Sequence, residues 1–410
     1  MKNSRFSLDL SLIPSDQIDF LKQIASTAAS LGYPLYIVGG YVRDLLLKHP
    51  ANDFDLVVEG DAIQFGDALV KQYGGKLTSH QKFRTAIWHL PDSSETIDLI
   101  TARKEKYLAP GALPTVTPST IEDDLQRRDF TVNAMAVRVD GNHFGQLLDP
   151  FNGQVDLENK LIRVLHQRSF IEDPTRIFRA IRYEGRYSFA MDTSTLNLIN
   201  SESVSVIMRL SGERIRHELD LIFEEEHSSK MIQRAGDLKL FEAIHPKFPQ
   251  FNTSYSDFLE MDPTLDVPAD KVLMGYMLWL IDVPEDDLLS IARRLDCSSE
   301  MTHSIWAVAQ LKRSLPFLVN SKPSVWTFAL ENLPLLSIYV VYLVTRENAL
   351  LDYISMWRHI KPHTTGDDLK ARGLAPGPRF GEILSQLRAA WLDGEVSNQS
   401  QEKELLSKIL

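Results

Sequence analysis

Two aspartates, Asp53 and Asp55, flank Phe54 in the stretch "IVGGYVRDLLLKHPANDFDLVV", residues 37–58. Alternate side chains of a β-strand share a face, so this spacing sets both carboxylates on one side. Carboxylates held so close repel each other and are tolerable in solvent or around a cation. A divalent ion, most simply Mg²⁺, takes such a pair together with phosphate oxygens. Upstream, Gly39 and Gly40 separate an apolar strand at 35–38 from a helix beginning near Val42. Glycines there let backbone N–H groups approach phosphates closely. The pattern is neither Gly-x-Gly-x-x-Gly nor a Walker loop, which sets aside Rossmann and P-loop readings. A phosphate cradle followed closely by paired carboxylates suits metal-dependent nucleotidyl transfer.

Asp98 interrupts an apolar strand, "TIDLI". A buried carboxylate needs a partner, and the ion at Asp53 and Asp55 is the simplest one. Three carboxylates would support in-line attack of a hydroxyl on the α-phosphorus of a nucleoside triphosphate, with pyrophosphate leaving. The segment "DDLQRRDFTVNAMAV", residues 123–137, reads as about two helical turns carrying Arg127, Arg128, Asp129 and Asn133. Guanidiniums suit phosphate, and an Asp and an Asn four residues apart on one face suit vicinal ribose hydroxyls. The same charges also suit a solvated, salt-bridged helix.

In "FIEDPTRIFRAIRY", residues 170–183, the run Glu172-Asp173-Pro174 is expected to start a helix. Asp173 and Arg176 then lie one turn apart, an acceptor and a donor fork able to read a nucleobase edge. Arg179, Arg182 and Arg186 continue the row and can follow an RNA backbone.

These groups need a frame. Strand-like runs dominate from 35 to about 160, with a helix at "DAIQFGDALVKQYGG"; beyond about 166 the pattern is successive helices. The fold class expected is α+β: a mixed-sheet head followed by an all-α neck, body and tail. The expected divisions are a lead-in helix at 1–33, the head at 34–160, a helical neck at 161–230 and a body and tail at 231–410. Residues 102–121, rich in Pro and Gly, read as a structureless loop acting as a lid or mobile segment.

With 410 residues the chain exceeds one compact core. Its longest apolar runs, near 276 and 340, fall short of the roughly 18 residues of a membrane span and read as buried helices. Nothing at the N-terminus resembles a secretory signal, so the expected compartment is the cytoplasm. A single cysteine, Cys297, excludes an internal disulfide and a cysteine-based zinc cluster. The net charge of -11 argues against nucleic-acid binding overall, but residues 160–186 hold seven basic side chains against three acidic ones.

Together, "VGGYVRD", "DFDLVV", "RRDFTVNAMA", "DPFNG" and "EDPTRIFRAIRY", in this order, resemble the class II tRNA nucleotidyltransferases and their bacterial poly(A) polymerase relatives. The segment "TGDDLKARGLAPGPRFGEILSQLRAAWLDGEV", residues 365–396, is similar to the family's tail signature. The resemblance implies metal ligation by Asp53 and Asp55, with Gly39, Gly40 and Arg43 near the triphosphate. It implies ribose and phosphate contacts from Arg128, Asp129 and Asn133, and Asp173 with Arg176 as a protein template choosing CTP or ATP. Its partners would be tRNA, CTP and ATP, and no membrane. Lys370, Arg372 and Arg379 flank a turn able to face tRNA phosphates. The segment "YLAPGALPTVTPSTIEDDL" is more similar to the loop of A-adding enzymes than to that of full CCA-adding enzymes, leaving the choice of CC, A or CCA open.

Overall fold

The computed structural model describes residues 13–50, 55–252, 254–255 and 265–410. Within these the chain forms two compact units, 1–210 and 211–410.

The first unit is built on a seven-stranded sheet. Its elements begin with α1 (Ser15–Ser30), β1 (Leu35–Val38), α2 (Gly40–Leu46), β2 (Asp55–Val58) and α3 (Ala62–Tyr73). They continue through β3 (Lys76–His80), β4 (Thr85–His89), β5 (Thr96–Thr101), β6 (Arg103–Lys106), β7 (Thr115–Pro118) and α4 (Ile121–Gln126). Then come β8 (Ala136–Arg138), β9 (Gln146–Leu148), α5 (Gly153–Glu158), β10 (Leu161–Ile162), α6 (Ser169–Glu172), α7 (Thr175–Tyr187), β11 (Ala190–Met191), α8 (Thr193–Asn197) and α9 (Ser201–Ile207). The strand order is β3-β4-β5-β2-β1-β8-β9. Only the β2–β5 pair is parallel; the other neighbours are antiparallel.

Alternation along the strands gives each face its own cover. Tyr36, Val38, Val57 and Ala136 form one core with Ile121 and Leu125 of α4. On the opposite face α3 packs on β4 and β5, and α1 packs on α3, with Phe20 stacked on Trp88. The N-terminal helix is thus part of the head's packing. Asp61 caps α3, accepting hydrogen bonds from the amides of Ile63 and Gln64.

Three local expectations are corrected. Residues 102–121 are not structureless: β6 and β7 pair as an antiparallel hairpin, Arg103 opposite Pro118. Its outer segment is anchored, since the Gly111 amide donates to the carbonyls of Ile171 and Glu172. The expected two-turn helix at 123–137 stops at Gln126, and a separate 3₁₀ turn covers Thr131–Asn133. Glu172 ends α6 instead of starting a helix; α7 begins at Thr175 after Pro174. There the Asp173 carboxylate accepts from the amide and hydroxyl of Thr175, so it caps α7 from outside.

The second unit is helical among its described residues: α10 (Gly212–Glu224), α11 (Ser228–Asp237), α12 (Leu240–Ile244), α13 (Lys271–Leu280), α14 (Glu285–Arg294) and α15 (Ser299–Leu318). It continues with α16 (Pro323–Leu330), α17 (Leu335–Thr345), α18 (Asn348–Ser355), α19 (Gly366–Ala371), α20 (Pro378–Leu392) and α21 (Gln399–Ile409). The apolar runs near 276 and 340 are the buried helices α13 and α17. No helix among the described residues is long and apolar enough to cross a membrane.

Candidate active site

The glycine turn fixes the site's geometry. Gly39 has φ +69°, and a Cβ there would lie 2.7 Å from Nη1 of Arg128. The missing side chain is what lets that guanidinium lie against the turn. Arg128 is held from behind by Asp124, whose Oδ2 accepts from Nη2 at 3.0 Å. Its Nε is buried with no hydrogen-bond partner among the described residues, a donor beside a glycine turn.

Asp124 is wholly buried, and nothing in its sequence neighbourhood singles it out. Burial would raise its carboxyl, but Arg127 and Arg128 hold it below the usual range. It also accepts from Arg127 Nη2 at 2.7 Å and from the Arg103 amide. Glu105 on β6 takes Nη1 of Arg127 and Nη2 of Arg103, both at 3.1 Å. An acid in a polar strand carries no signal for this; only the hairpin brings it there.

On the sheet, β1 and β2 register Val38 opposite Asp55, which sets Asp55 beside the glycine turn. The parallel register Leu56 to Leu99 makes Asp55 and Asp98 neighbours on adjacent strands, on the face that α4 partly covers. Asp98 is exposed, not buried as its strand suggested, because the core under α4 stops short of this end of β5. Asp53 lies outside the described residues. Among those described, no group of three or more His, Cys, Asp or Glu is placed to hold a metal ion. The Asp55 and Asp98 carboxylates are hard oxygen donors of the kind a divalent cation takes, so the residues present fit such an ion.

Asp129 and Asn133 meet although they share no helix: Asn133 Nδ2 donates to Asp129 Oδ1 at 3.0 Å across the turn. Arg179 of α7 pairs with Asp129 Oδ2 at 2.7 Å. Burial alone would raise the Asp129 carboxyl, but Arg179 and Asn133 pull it down to about 2. Arg43 lies at 4% exposure; it donates to Asn133 Oδ1 at 2.6 Å and twice to Asp44 at 2.9 Å.

Arg176 is buried, its Nη1 on Ser169 Oγ and its Nη2 on the Arg127 carbonyl, both at 2.8 Å. With Glu105, Tyr107, Arg127, His166 and Glu172 it lines a cavity of about 290 Å³ between the hairpin, α4 and the start of α7. Burial lowers the His166 pKa, against the pull of Glu172 at 3.6 Å. The expected row of arginines along α7 is not a continuous exposed stripe. Arg179 is tied to Asp129, Arg182 is 5% exposed and lies over the Tyr183 ring, and only Arg186 is exposed. The cause is that α7 is covered around most of its surface.

In the second unit the turn between α19 and α20 is exposed, with Arg372 on it and Lys370 and Arg379 on the helix ends that flank it. Lys370 pairs with Asp367 at 2.9 Å, and Arg379 Nη2 reaches the Ile409 carbonyl at 3.5 Å.

Comparison with known proteins decides the family. A profile described as "Poly A polymerase head domain" matches residues 35–163, and one described as "Probable RNA and SrmB- binding site of polymerase A" matches residues 188–251. An A-adding tRNA nucleotidyltransferase of Halalkalibacterium halodurans is 31% identical over 94% of this chain and 91% of its own length. The chain belongs to the class II tRNA nucleotidyltransferase and poly(A) polymerase family. An A-adding tRNA nucleotidyltransferase of Geobacter sulfurreducens is 34% identical over 97% of this chain, which spans 47% of that protein. The structure of a Thermotoga maritima CCA-adding enzyme complexed with tRNA superposes with a TM-score of 0.78 at 27% identity, covering 99% of both chains. The α+β head followed by a mostly helical region is the architecture of these family members.

Proposed function

We propose that this protein is a tRNA 3'-end nucleotidyltransferase that adds C, A or both from CTP and ATP to build or repair the CCA terminus. The observation that carries this reading is Arg128, whose guanidinium lies against Gly39 with a buried Nε that has no partner among the described residues, one residue before the Asp129, Asn133 and Arg179 cluster. A triphosphate laid along Gly39 and Gly40 meets Arg128 and Arg43, and its ribose comes to Asp129 and Asn133. Asp173 and Arg176 select the base, with the polar cavity beside Arg176 supplying further donors and acceptors for that choice.

Asp55 and Asp98, with Asp53, are the carboxylates that would hold Mg²⁺. At these carboxylates the ion would supply Lewis-acid polarisation of the RNA 3'-hydroxyl and charge stabilisation of the departing pyrophosphate. Helices of the neck, body and tail hold the tRNA, with Arg182 and Arg186 on α7 and Lys370, Arg372 and Arg379 at the tail turn as backbone contacts. Since Arg182 is buried, its contribution requires α7 to shift or is confined to holding Tyr183. Its substrates are cytoplasmic, and the cytoplasm is the compartment this reading assigns.

A second reading, addition of A alone, is favoured by three relatives above 30% identity that cover most of this chain, all named as A-adding. The experiment is incorporation of labelled CTP and ATP, separately and together with Mg²⁺, into tRNA transcripts ending before CCA, after C and after CC. Completion from all three ends establishes full CCA addition. Activity on the CC end alone establishes an A-adding enzyme, and unlimited A addition makes it a poly(A) polymerase. No incorporation on any end overturns the reading.

A further inference from the structure

The far end of α7 returns to the glycine turn. Arg43 presents five N–H donors. Its Nε and one Nη2 proton go to Asp44, and one Nη1 proton goes to Asn133. Two donors have no partner among the described residues, and a Cβ on Gly40 would lie 3.3 Å from Nη2, so that side of the fork runs along the turn.

Tyr187, the last residue of α7, acts on that fork in two ways. Its ring lies under the guanidinium, with Cζ of Arg43 4.6 Å from the centroid. Its hydroxyl donates to Asp44 Oδ1 at 3.2 Å, the same carboxylate that grips Arg43. Burial pushes the phenol above its ordinary range, so it keeps its proton at neutral pH, and Arg186 donates to the same oxygen. The ring is held by Tyr183 at 6.0 Å and His49 at 6.1 Å. From Arg43 the bonds continue through Asn133 and Asp129 to Arg179, whose Nη2 donates to the Tyr183 hydroxyl at 3.2 Å. Tyr183 in turn lies 5.3 Å beneath Arg43, closing the circuit.

We propose that Tyr187 is a positioning residue for the triphosphate: its ring and hydroxyl fix the Arg43 guanidinium along Gly39 and Gly40 so that the two remaining donors meet phosphate oxygens. The proposal rests on the nucleotidyl-transfer reading above. It ties phosphate binding to the helix that carries Arg176 through side chains alone. Tyr187 touches no reacting atom; it acts through Arg43.

The test uses the full chain with Tyr187→Ala and the near-isosteric Tyr187→Phe. Loss of the stacked ring and of the bond to Asp44 should raise the KM for the nucleotide roughly tenfold in Tyr187→Ala, and the hydroxyl alone about threefold in Tyr187→Phe. The KM for tRNA should stay at the wild-type value. Calorimetric titration with inorganic tripolyphosphate should show the same weakening, while adenosine binding is unchanged. Wild-type tripolyphosphate affinity in both variants overturns the proposal, as does equal weakening of tripolyphosphate and adenosine, which would mean a general loss of structure. Should Tyr187→Ala fail to fold, Tyr187→Phe decides alone. A wild-type chain that incorporates no nucleotide defeats the functional reading instead, and tripolyphosphate binding still judges Tyr187.

Discussion

Two sets of basic side chains in this protein are built on opposite principles. In the first unit, Arg43, Arg127, Arg128, Arg176 and Arg179 are half-buried or buried, and each is held by a carboxylate, an amide or a carbonyl. At the tail turn, Lys370, Arg372 and Arg379 stand in solvent, with one ion pair within a helix and one long hydrogen bond to a carbonyl. The first arrangement fixes donors in place before a ligand arrives, so little ordering is left to do on binding. The second leaves charge free to follow a polyanion, at the cost of precision and with full exposure to salt screening.

The sharpest way to separate the two is to remove a carboxylate from the end of the sheet proposed to hold the cation. Asp55→Ala should lower incorporation by roughly 10³-fold or more, with tRNA affinity near wild type in a filter-binding assay. An equal loss of tRNA affinity would mean that Asp55 serves RNA binding and not the reaction.

Next comes the support beneath the head arginines. Asp124→Ala leaves Arg127 and Arg128 buried without their shared carboxylate, and should destabilise the protein by about 3–5 kcal/mol in chemical denaturation. A change within about 1 kcal/mol, on the order of a surface pair, would place this cluster in the same class as the tail turn.

The third effect depends on pH. Asp129 is held at about 2, below its unfolded value, so its stabilisation is present above the unfolded pKa and is lost as pH falls toward 2. It amounts to on the order of 2 kcal/mol. Melting temperatures of wild type and Asp129→Asn should therefore converge between about pH 4 and pH 2. Parallel curves across that window would show that the Asp129–Arg179 pair is uncoupled from folding.

The smallest effect belongs to the tail. Replacing Lys370, Arg372 and Arg379 together with Ala should leave the KM for nucleotide unchanged. It should lower the salt dependence of tRNA binding by about one unit of log–log slope for each phosphate that these side chains neutralise. An unchanged slope would remove the turn from the RNA-binding surface.

Asp173 with Arg176, and Asp129 with Asn133, show how far local spacing reaches. Their residue types were legible because each pair lies within four positions, yet the geometry supposed for them was a helix face, and neither pair sits on one. Asp129 and Asn133 meet across a turn, and Asp173 caps the helix whose first turn carries Arg176. The hairpin at 103–118 was missed because its strands are polar on both faces and exposed along much of their length, so no alternation marks them.

The sequence by itself determined the mixed-sheet head ahead of a helical region, the buried helices of the second unit, the glycine turn before a carboxylate pair and the family motifs. All of these are written in neighbours a few positions apart. Tertiary structure alone decided which charges are buried and who holds them. Arg43 and Asn133 are 90 residues apart, Arg176 and the Arg127 carbonyl 49, Tyr187 and Asp44 143. An arginine carries the same charge in solvent and in a core; what distinguishes the two is the partner that packing brings to it.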